Sequence, residues 1–325
     1  MIAPAPIDVL RFLAARHAEG VPCALVTLVG IDGGSSRSIG TQMAVAADGR
    51  RLGSFSGGCV EDAVATEALE ALDDGWGRVV RYGAGSPYID IRLPCGGGID
   101  LLFTPRPDAA IVAAALAALD SRNAVALTLE CDGVAIAADP APVAWDGHAL
   151  THAYQPPLRI HALGQGEDLT AFARLAAAFG AQINAITPDA DTQALLIAEG
   201  MSVTPLVTRN TLPPIASDPW SAIVFLFHGR DWEEFLMPQA LALPAFYHGA
   251  IGSRRTHAAR LEALLASGVR TDAIMGLRGH IGLIPATRDP ATLALSILGE
   301  IVADYNALAH WSKWMGSALT VPASH

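Results

Sequence analysis

The chain has 325 residues, roughly twice the length of a typical single domain, so two domains that each bury a core are expected. With 21 Lys and Arg against 32 Asp and Glu the net charge is −11, and no basic cluster exceeds Arg254-Arg255, which argues against a nucleic-acid partner. Hydrophobic residues reach 51%, yet the uncharged runs Ala109 to Leu119 and Leu236 to Ser253 are too short or too broken by Pro and Gly to cross a bilayer; with no signal-peptide layout at the N-terminus, no membrane span and a cytoplasmic setting are expected.

Taken in order, Ile7 to Ala18 reads as an amphipathic helix and Pro22 to Ile31 as a buried strand. Asp32-Gly33-Gly34-Ser35-Ser36 is a flexible turn followed at once by Arg37. Gly40 to Ala47 and Arg51 to Phe55 read as a hairpin joined at Asp48-Gly49, which delivers the stretch Gly53 to Ala63, G-S-F-S-G-G-C-V-E-D-A. Here the chain breaks at Gly57 and Gly58, presents Cys59 and enters a helix running from Cys59 to about Leu72. Two glycines allow close approach of a ligand to the backbone, and unpaired amides at a helix start favour anions and the thiolate form of cysteine. The plainer reading of Cys59 is a small apolar residue packed at a tight turn.

Strands are expected over Arg78 to Tyr82, Tyr88 to Leu93 and Ile99 to Thr104, the last preceded by a second glycine-flanked thiol, Pro94-Cys95-Gly96-Gly97-Gly98. Pro107 to Leu119 reads as a helix, two or three short strands follow to about Leu150, and Thr151 to Pro157 reads as a linker. The four cysteines, at 23, 59, 95 and 131, are evenly spaced, but their flanks share nothing and there is no C-x-x-C pair, so free thiols are expected and not a disulfide framework or a zinc site.

The second half opens as a βαβ unit: strand Leu158 to Leu163, turn Gly164-Gln165-Gly166, helix Asp168 to Phe179, strand Ala181 to Thr187. The expected fold class is therefore α/β: a mixed α/β domain over 1–150, a linker over 151–157, and a Rossmann-like, doubly wound parallel-sheet domain over 158–325. The Gly164/Gly166 turn suits a dinucleotide fold, but Glu167 and Asp168 put negative charge where a pyrophosphate would sit, and Thr187 stands where an acid would grip a ribose. Asp168 is read as a helix cap. Ala222 to Phe227 is a buried strand leading to His228, at the carboxyl end where such sheets place ligands. Phe246 to Ala250 leads to Gly252-Ser253-Arg254-Arg255, a helix start with Ser253 as N-cap that would suit a phosphate, and Pro290 to Asn306 is a closing helix.

Together these segments resemble the XdhC/CoxI family of xanthine dehydrogenase accessory factors. The resemblance is carried by Gly34-Ser35-Ser36-Arg37, Gly40 with Met43, Gly53 to Glu61, Cys95-Gly96-Gly97, Gly252-Ser253-Arg254-Arg255, Ile281-Gly282-Leu283 and Leu295 to Ile301, in order along nearly the whole chain. It implies binding of molybdenum cofactor, assistance to its sulfuration with a cysteine desulfurase, and delivery to a molybdenum hydroxylase. The site residues it implies are Ser35, Ser36, Arg37, Gly57, Gly58, Cys59, Glu61, Cys95 and Gly96 in the first domain and Gly164, Gly166, His228, Gly252, Ser253 and Arg254 in the second. Cys59 is the candidate thiolate ligand to molybdenum, and Arg37 with the Gly57 and Gly58 amides are the anion contacts. The competing reading is an NAD(P)-dependent oxidoreductase with Cys59 as redox thiol or nucleophile, against which the acidic pair Glu167-Asp168 counts; a third is a scaffold that only recruits partners. A homodimer is the default assembly.

Overall fold

The computed structural model describes residues 4–58, 60–86, 96–137 and 143–308. Cys59, Cys95 and the expected strand Tyr88 to Leu93 lie outside the described residues. The chain divides into two compact units, Ala3–Pro156 and the part from Pro157 onward.

In the first unit, α1 (Pro6–Ala18) precedes β1 (Cys23–Asp32), β2 (Gln42–Ala46), β3 (Arg51–Gly53), α2 (Glu61–Asp74), β4 (Arg78–Gly83), β5 (Gly98–Pro105) and α3 (Ala109–Asp120). Five of these strands form an antiparallel sheet in the order β3-β2-β1-β5-β4. The unbroken apolar run of β1 has a simple cause: both of its faces are covered. Ala24, Val26 and Leu28 pack with Val60, Val64 and Leu72 of the α2 side. Cys23, Leu25 and Val29 pack with Leu10 and Leu13 of α1 and Val112 of α3. A second antiparallel sheet of β6 (Val125–Leu129), β7 (Val134–Ile136), β8 (Ala144–Trp145) and β9 (Leu150–Tyr154), ordered β7-β6-β9-β8, closes the latter face.

Two expectations are corrected here. The stretch read as a linker, Thr151 to Pro157, carries β9, which pairs with both β6 and β8 and buries Leu150, His152 and Tyr154 in strict alternation. Tyr154 donates to Gln42 Oε1 at 2.8 Å, and the boundary between the units falls after Pro156. The helix expected from Cys59 begins only at Glu61, and β3 stops at Gly53 and does not reach Phe55, because residues 54–58 turn inward to surround the Glu61 carboxylate.

The second unit runs β10 (Arg159–Gly164), α4 (Gly166–Phe179), β11 (Gln182–Thr187), α5 (Ala190–Ala198), β12 (Ser202–Pro205), β13 (Ser221–Leu226), a 3-10 turn (Arg230–Trp232), α6 (Glu233–Leu241), β14 (Tyr247–Ala250), α7 (Arg254–Ala266), α8 (Thr271–Met275), β15 (Leu277–Gly279) and α9 (Pro290–Leu308). Its six strands are all parallel in the order β12-β11-β10-β13-β14-β15, the doubly wound arrangement, with the switch of direction between β10 and β13. Ile160, Ala162, Val224 and Leu226 face α4 and α9, while Leu163, Ile223 and Phe225 face α6 and α7. α9 is the one helix among the described residues long and apolar enough by composition to cross a membrane. It instead lays Ala294, Ile297, Leu298 and Ile301 in this core, and its Glu300 and Asp304 pair with Arg278.

Beneath α6 and α7, Arg260 donates to both carboxylate oxygens of Glu233 at 2.9 and 2.8 Å, and both side chains are nearly excluded from solvent. Arg260→Ala leaves that carboxylate buried without its partner, so equilibrium unfolding in urea should show a loss of about 3–5 kcal/mol, while the double replacement Glu233→Met/Arg260→Met should recover most of it.

Candidate cofactor site

The antiparallel register brings three loop regions to one end of the first unit's sheet: residues 33–41 leaving β1, residues 54–58 leaving β3, and residues 84–86 leaving β4 with 96–97 entering β5. Ser35, Ser36, Arg37, Gly57, Gly58 and Gly96 fall on these segments, and Glu61 opens α2 just after the second. They are tied to one another at specific points. Ser36 Oγ donates to the Phe55 carbonyl at 3.1 Å, and Arg37 Nε donates to the Ser54 carbonyl at 3.3 Å. Ser35 Oγ accepts from the Arg37 amide. Gly97 lies against the first loop so closely that a Cβ there would stand 2.4 Å from the Gly34 carbonyl oxygen and 2.7 Å from that of Asp32. Arg81 bridges the same region, pairing with Asp32 at 2.6 Å and Asp100 at 3.2 Å.

At the centre of the second loop is Glu61. One of its carboxylate oxygens accepts from Ser54 Oγ (2.7 Å) and from the amides of Phe55 (2.9 Å), Ser56 (2.8 Å) and Gly57 (3.2 Å). The other accepts from Ser56 Oγ (2.9 Å) and the amides of Gly58 (2.7 Å) and Val60 (3.3 Å). Gly57 and Gly58 both take positive φ, 78° and 129°, which is what lets consecutive amides converge on one acceptor. Burial by itself would raise the Glu61 pKa, but the Ser56 amide and the Ser54 and Ser56 hydroxyls outweigh it and hold the carboxyl far below the usual range.

This corrects one element of the expected site. The Gly57 and Gly58 amides do not stand open to an external anion, because Glu61 of the same chain already occupies them. Glu61 holds the loop and is buried, 6% exposed, and is no surface for a ligand. The sequence carried a signal for this: a single acid three residues after a run of Ser and Gly, the residue types that leave most amide donors unshielded. Ser36 and Arg37 are brought to the loop as expected. Arg37 is exposed, and among the described residues its terminal guanidinium nitrogens have no partner. Gly96 sits in the third loop beside Gly97.

In the second unit, Gly164 ends β10, where a Cβ would press within 2.9 Å of Leu226 on β13, and Gly166 opens α4, its amide donating to Thr192 Oγ1. Asp168 does not cap α4. It lies in the first turn with a carboxylate oxygen 2.7 Å from His228 Nε2, so these two residues meet across the switch point between β10 and β13. Ser253 is the N-cap of α7 as expected, accepting from the Thr256 amide at 3.2 Å, with Gly252 before it and Arg254 exposed after it.

Residues 16–83 match the XdhC and CoxI family, and residues 160–301 match the XdhC Rossmann domain. The chain is also 35% identical over 297 residues to the molybdenum cofactor insertion chaperone PaoD of Escherichia coli (strain K12), covering 91% of this chain and 87% of that protein. The chain belongs to the XdhC/CoxI family. A solved structure described as a xanthine dehydrogenase from Bacillus halodurans shares the fold, with a TM-score of 0.74 at 19% identity over 94% of this chain and 96% of that one. The first family segment lies within the first unit and contains the Glu61 loop, and the second lies within the second unit and spans nearly all of its parallel sheet.

Because Glu61 is anionic in the folded chain at any pH above the acid range, it contributes stability that is complete above the unfolded carboxyl pKa and declines as pH falls toward its lowered folded value. Stability should therefore fall between about pH 5 and pH 2 with a component that Glu61→Gln abolishes, read from denaturant midpoints across that range. At neutral pH Glu61→Ala, which strands several buried donors, should cost about 2–3 kcal/mol.

Proposed function

We propose that this chain binds molybdenum cofactor and inserts it into an acceptor molybdenum hydroxylase of the xanthine dehydrogenase type, supporting sulfuration of the cofactor together with a cysteine desulfurase. The observation that carries the reading is the likeness to the E. coli insertion chaperone, which runs through both units and so includes the whole loop end described above. Molybdopterin brings a phosphate, a dithiolene and an oxidised metal, and a carrier for it needs a cation for the phosphate and a soft donor near the metal.

Arg37 fits the first need. Its guanidinium is anchored through Nε to the Ser54 carbonyl while its outer nitrogens face solvent, so it presents a fixed positive charge beside the Cys59 loop. With the glycine amides engaged by Glu61, the phosphate contact falls to Arg37 and not to the backbone. Cys59 is the proposed thiolate, and Glu61 sets the shape of the loop on either side of it. Ser35 and Ser36 place Arg37, and Gly96 lies in the adjoining loop region. In the second unit by itself, Arg254 is exposed at the start of α7, while the Ser253 hydroxyl is engaged in capping.

Purification from cells that make molybdenum cofactor should yield protein carrying pterin and molybdenum in constant ratio. Arg37→Ala should weaken retention roughly tenfold, the loss of one charge-assisted contact. Cys59→Ala should lower bound molybdenum more than bound pterin, measured by metal analysis and pterin fluorescence. Wild-type retention of both by Cys59→Ala would remove the thiolate from the proposal, and wild-type protein free of pterin would remove the proposal itself.

A further inference from the structure

At the carboxyl end of the parallel sheet lies an open cleft of about 570 Å³, within the range of small-molecule sites. It is walled by the turns that follow four of the six strands: Gly166 after β10, Asp189 after β11, Arg209 after β12, and Phe227 and Trp232 after β13. Trp232 stacks on Phe227 with ring centroids 5.7 Å apart and planes 14° from parallel. The Arg209 guanidinium lies over a Trp232 ring at 5.2 Å and is steadied by Asp231 at 3.3 Å. Phe227, Trp232 and Arg209 thus form a layered stack whose outer member is more than half exposed, a plane on which a flat heterocycle would lie.

Asp189 supplies the second half of a recognition site. Its Oδ2 accepts from the Thr192 amide and hydroxyl, capping α5, and the Asp191 amide also helps to hold the carboxylate in its charged form. The position just past the second strand is where parallel sheets of this order grip ribose hydroxyls, and Asp189, two residues beyond Thr187, reaches the cleft wall from there. The phosphate position, by contrast, is filled from within. The Gly166 amide donates to Thr192 Oγ1, and the first turn of α4 carries Asp168, beside His228, next to Glu167. A pyrophosphate laid across that turn would meet carboxylate charge at close range.

We propose that this cleft binds a ribonucleoside group, its base stacked on the Arg209–Trp232 plane and a ribose hydroxyl donating to Asp189, with no pyrophosphate contact at α4. The proposal does not rest on the cofactor-chaperone reading, since it uses none of the first unit's residues. Isothermal titration of the full chain with adenosine, cytidine, guanosine and uridine, with their 2′-deoxy forms and with NAD⁺, tests it. At least one ribonucleoside should bind, its 2′-deoxy form about tenfold more weakly, and NAD⁺ no more tightly than adenosine. Asp189→Asn keeps a good helix cap and should erase the preference for ribose, while Trp232→Ala should abolish binding; circular dichroism confirms that both variants fold. No binding of any ribonucleoside at millimolar concentration overturns the proposal, as does a ribose preference that survives in Asp189→Asn. NAD⁺ binding more than tenfold tighter than adenosine would overturn it equally, by placing a pyrophosphate on α4.

Discussion

The local structure of the first unit depends on one buried carboxylate. Removing a carboxylate from water is costly unless its lone pairs are met by donors, and Glu61 meets this condition with five backbone amides and two hydroxyls from Ser54 to Val60. The same contacts fix a loop that would otherwise be among the freest in the chain. A Ser-Gly segment loses about 1–2 kcal/mol of backbone entropy for each residue ordered, which charge-assisted hydrogen bonds to a single acceptor can offset. The carboxylate also decides what the loop cannot do. Amides converging on one point make an anion site in general chemistry, but here the anion is covalently part of the chain, so a bound ligand must be held by side chains that the loop displays.

That constraint gives meaning to the convergence of three loops. Antiparallel pairing of β1 with β2 and β5, of β2 with β3 and of β4 with β5 puts the ends of β1, β3 and β4 and the start of β5 at one end of the sheet whatever the loop sequences. The particular residues then lock them: hydroxyl and guanidinium donors of Ser36 and Arg37 to carbonyls of the Glu61 loop, and the missing side chain of Gly97 against Gly34 and Asp32. Arg37 consequently has one edge spent on structure while its side chain remains exposed. An arginine with a fixed stem loses less entropy on meeting a phosphate than a freely rotating one, which is the physical gain from tying Nε to a carbonyl.

Much of this architecture was legible in the sequence because period and punctuation carry it. The run from Pro22 to Ile31 could only be a strand covered on both faces, and the β10–α4–β11 unit announced itself through Gly164, Gly166 and the apolar pattern of Leu169, Phe172, Ala173 and Ala176. Ser253 was readable as a cap because its role needs only a hydroxyl and a helix start. Thr151 to Pro157 was misread because His152, Gln155 and two prolines look like solvent-facing composition. The alternation of Leu150, His152 and Tyr154 was present, but a buried histidine masks a period that apolar residues would have displayed. The role of Glu61 was marked only by the Ser and Gly run before it, because its partners are mainly amides, which every residue possesses, and their convergence is a property of backbone conformation. The stack of Arg209, Phe227 and Trp232 was equally out of reach, since a long loop separates the first from the others.

The second unit keeps the topology of a nucleotide-binding sheet while altering the chemistry at its most characteristic point. In such sheets the helix after the first strand offers free amides and the positive end of its dipole to a pyrophosphate. Here Glu167 and Asp168 occupy that first turn, where their charge is stabilised by the same dipole, and His228, just past β13, lies 2.7 Å from Asp168. The two uses are mutually exclusive, because one patch of positive potential cannot favour both a resident carboxylate and an incoming phosphate at contact distance. What remains of the site is the part that does not need the dipole: a carboxylate beyond the second strand and a layered plane of rings and guanidinium beyond the third and fourth. A hydride-transferring enzyme must anchor both halves of its dinucleotide to align the nicotinamide with a substrate, and a cleft stripped of its pyrophosphate contact has lost the middle of that anchor. The geometry of α4 therefore weighs against nicotinamide redox chemistry and for recognition of a ligand by its base and sugar alone.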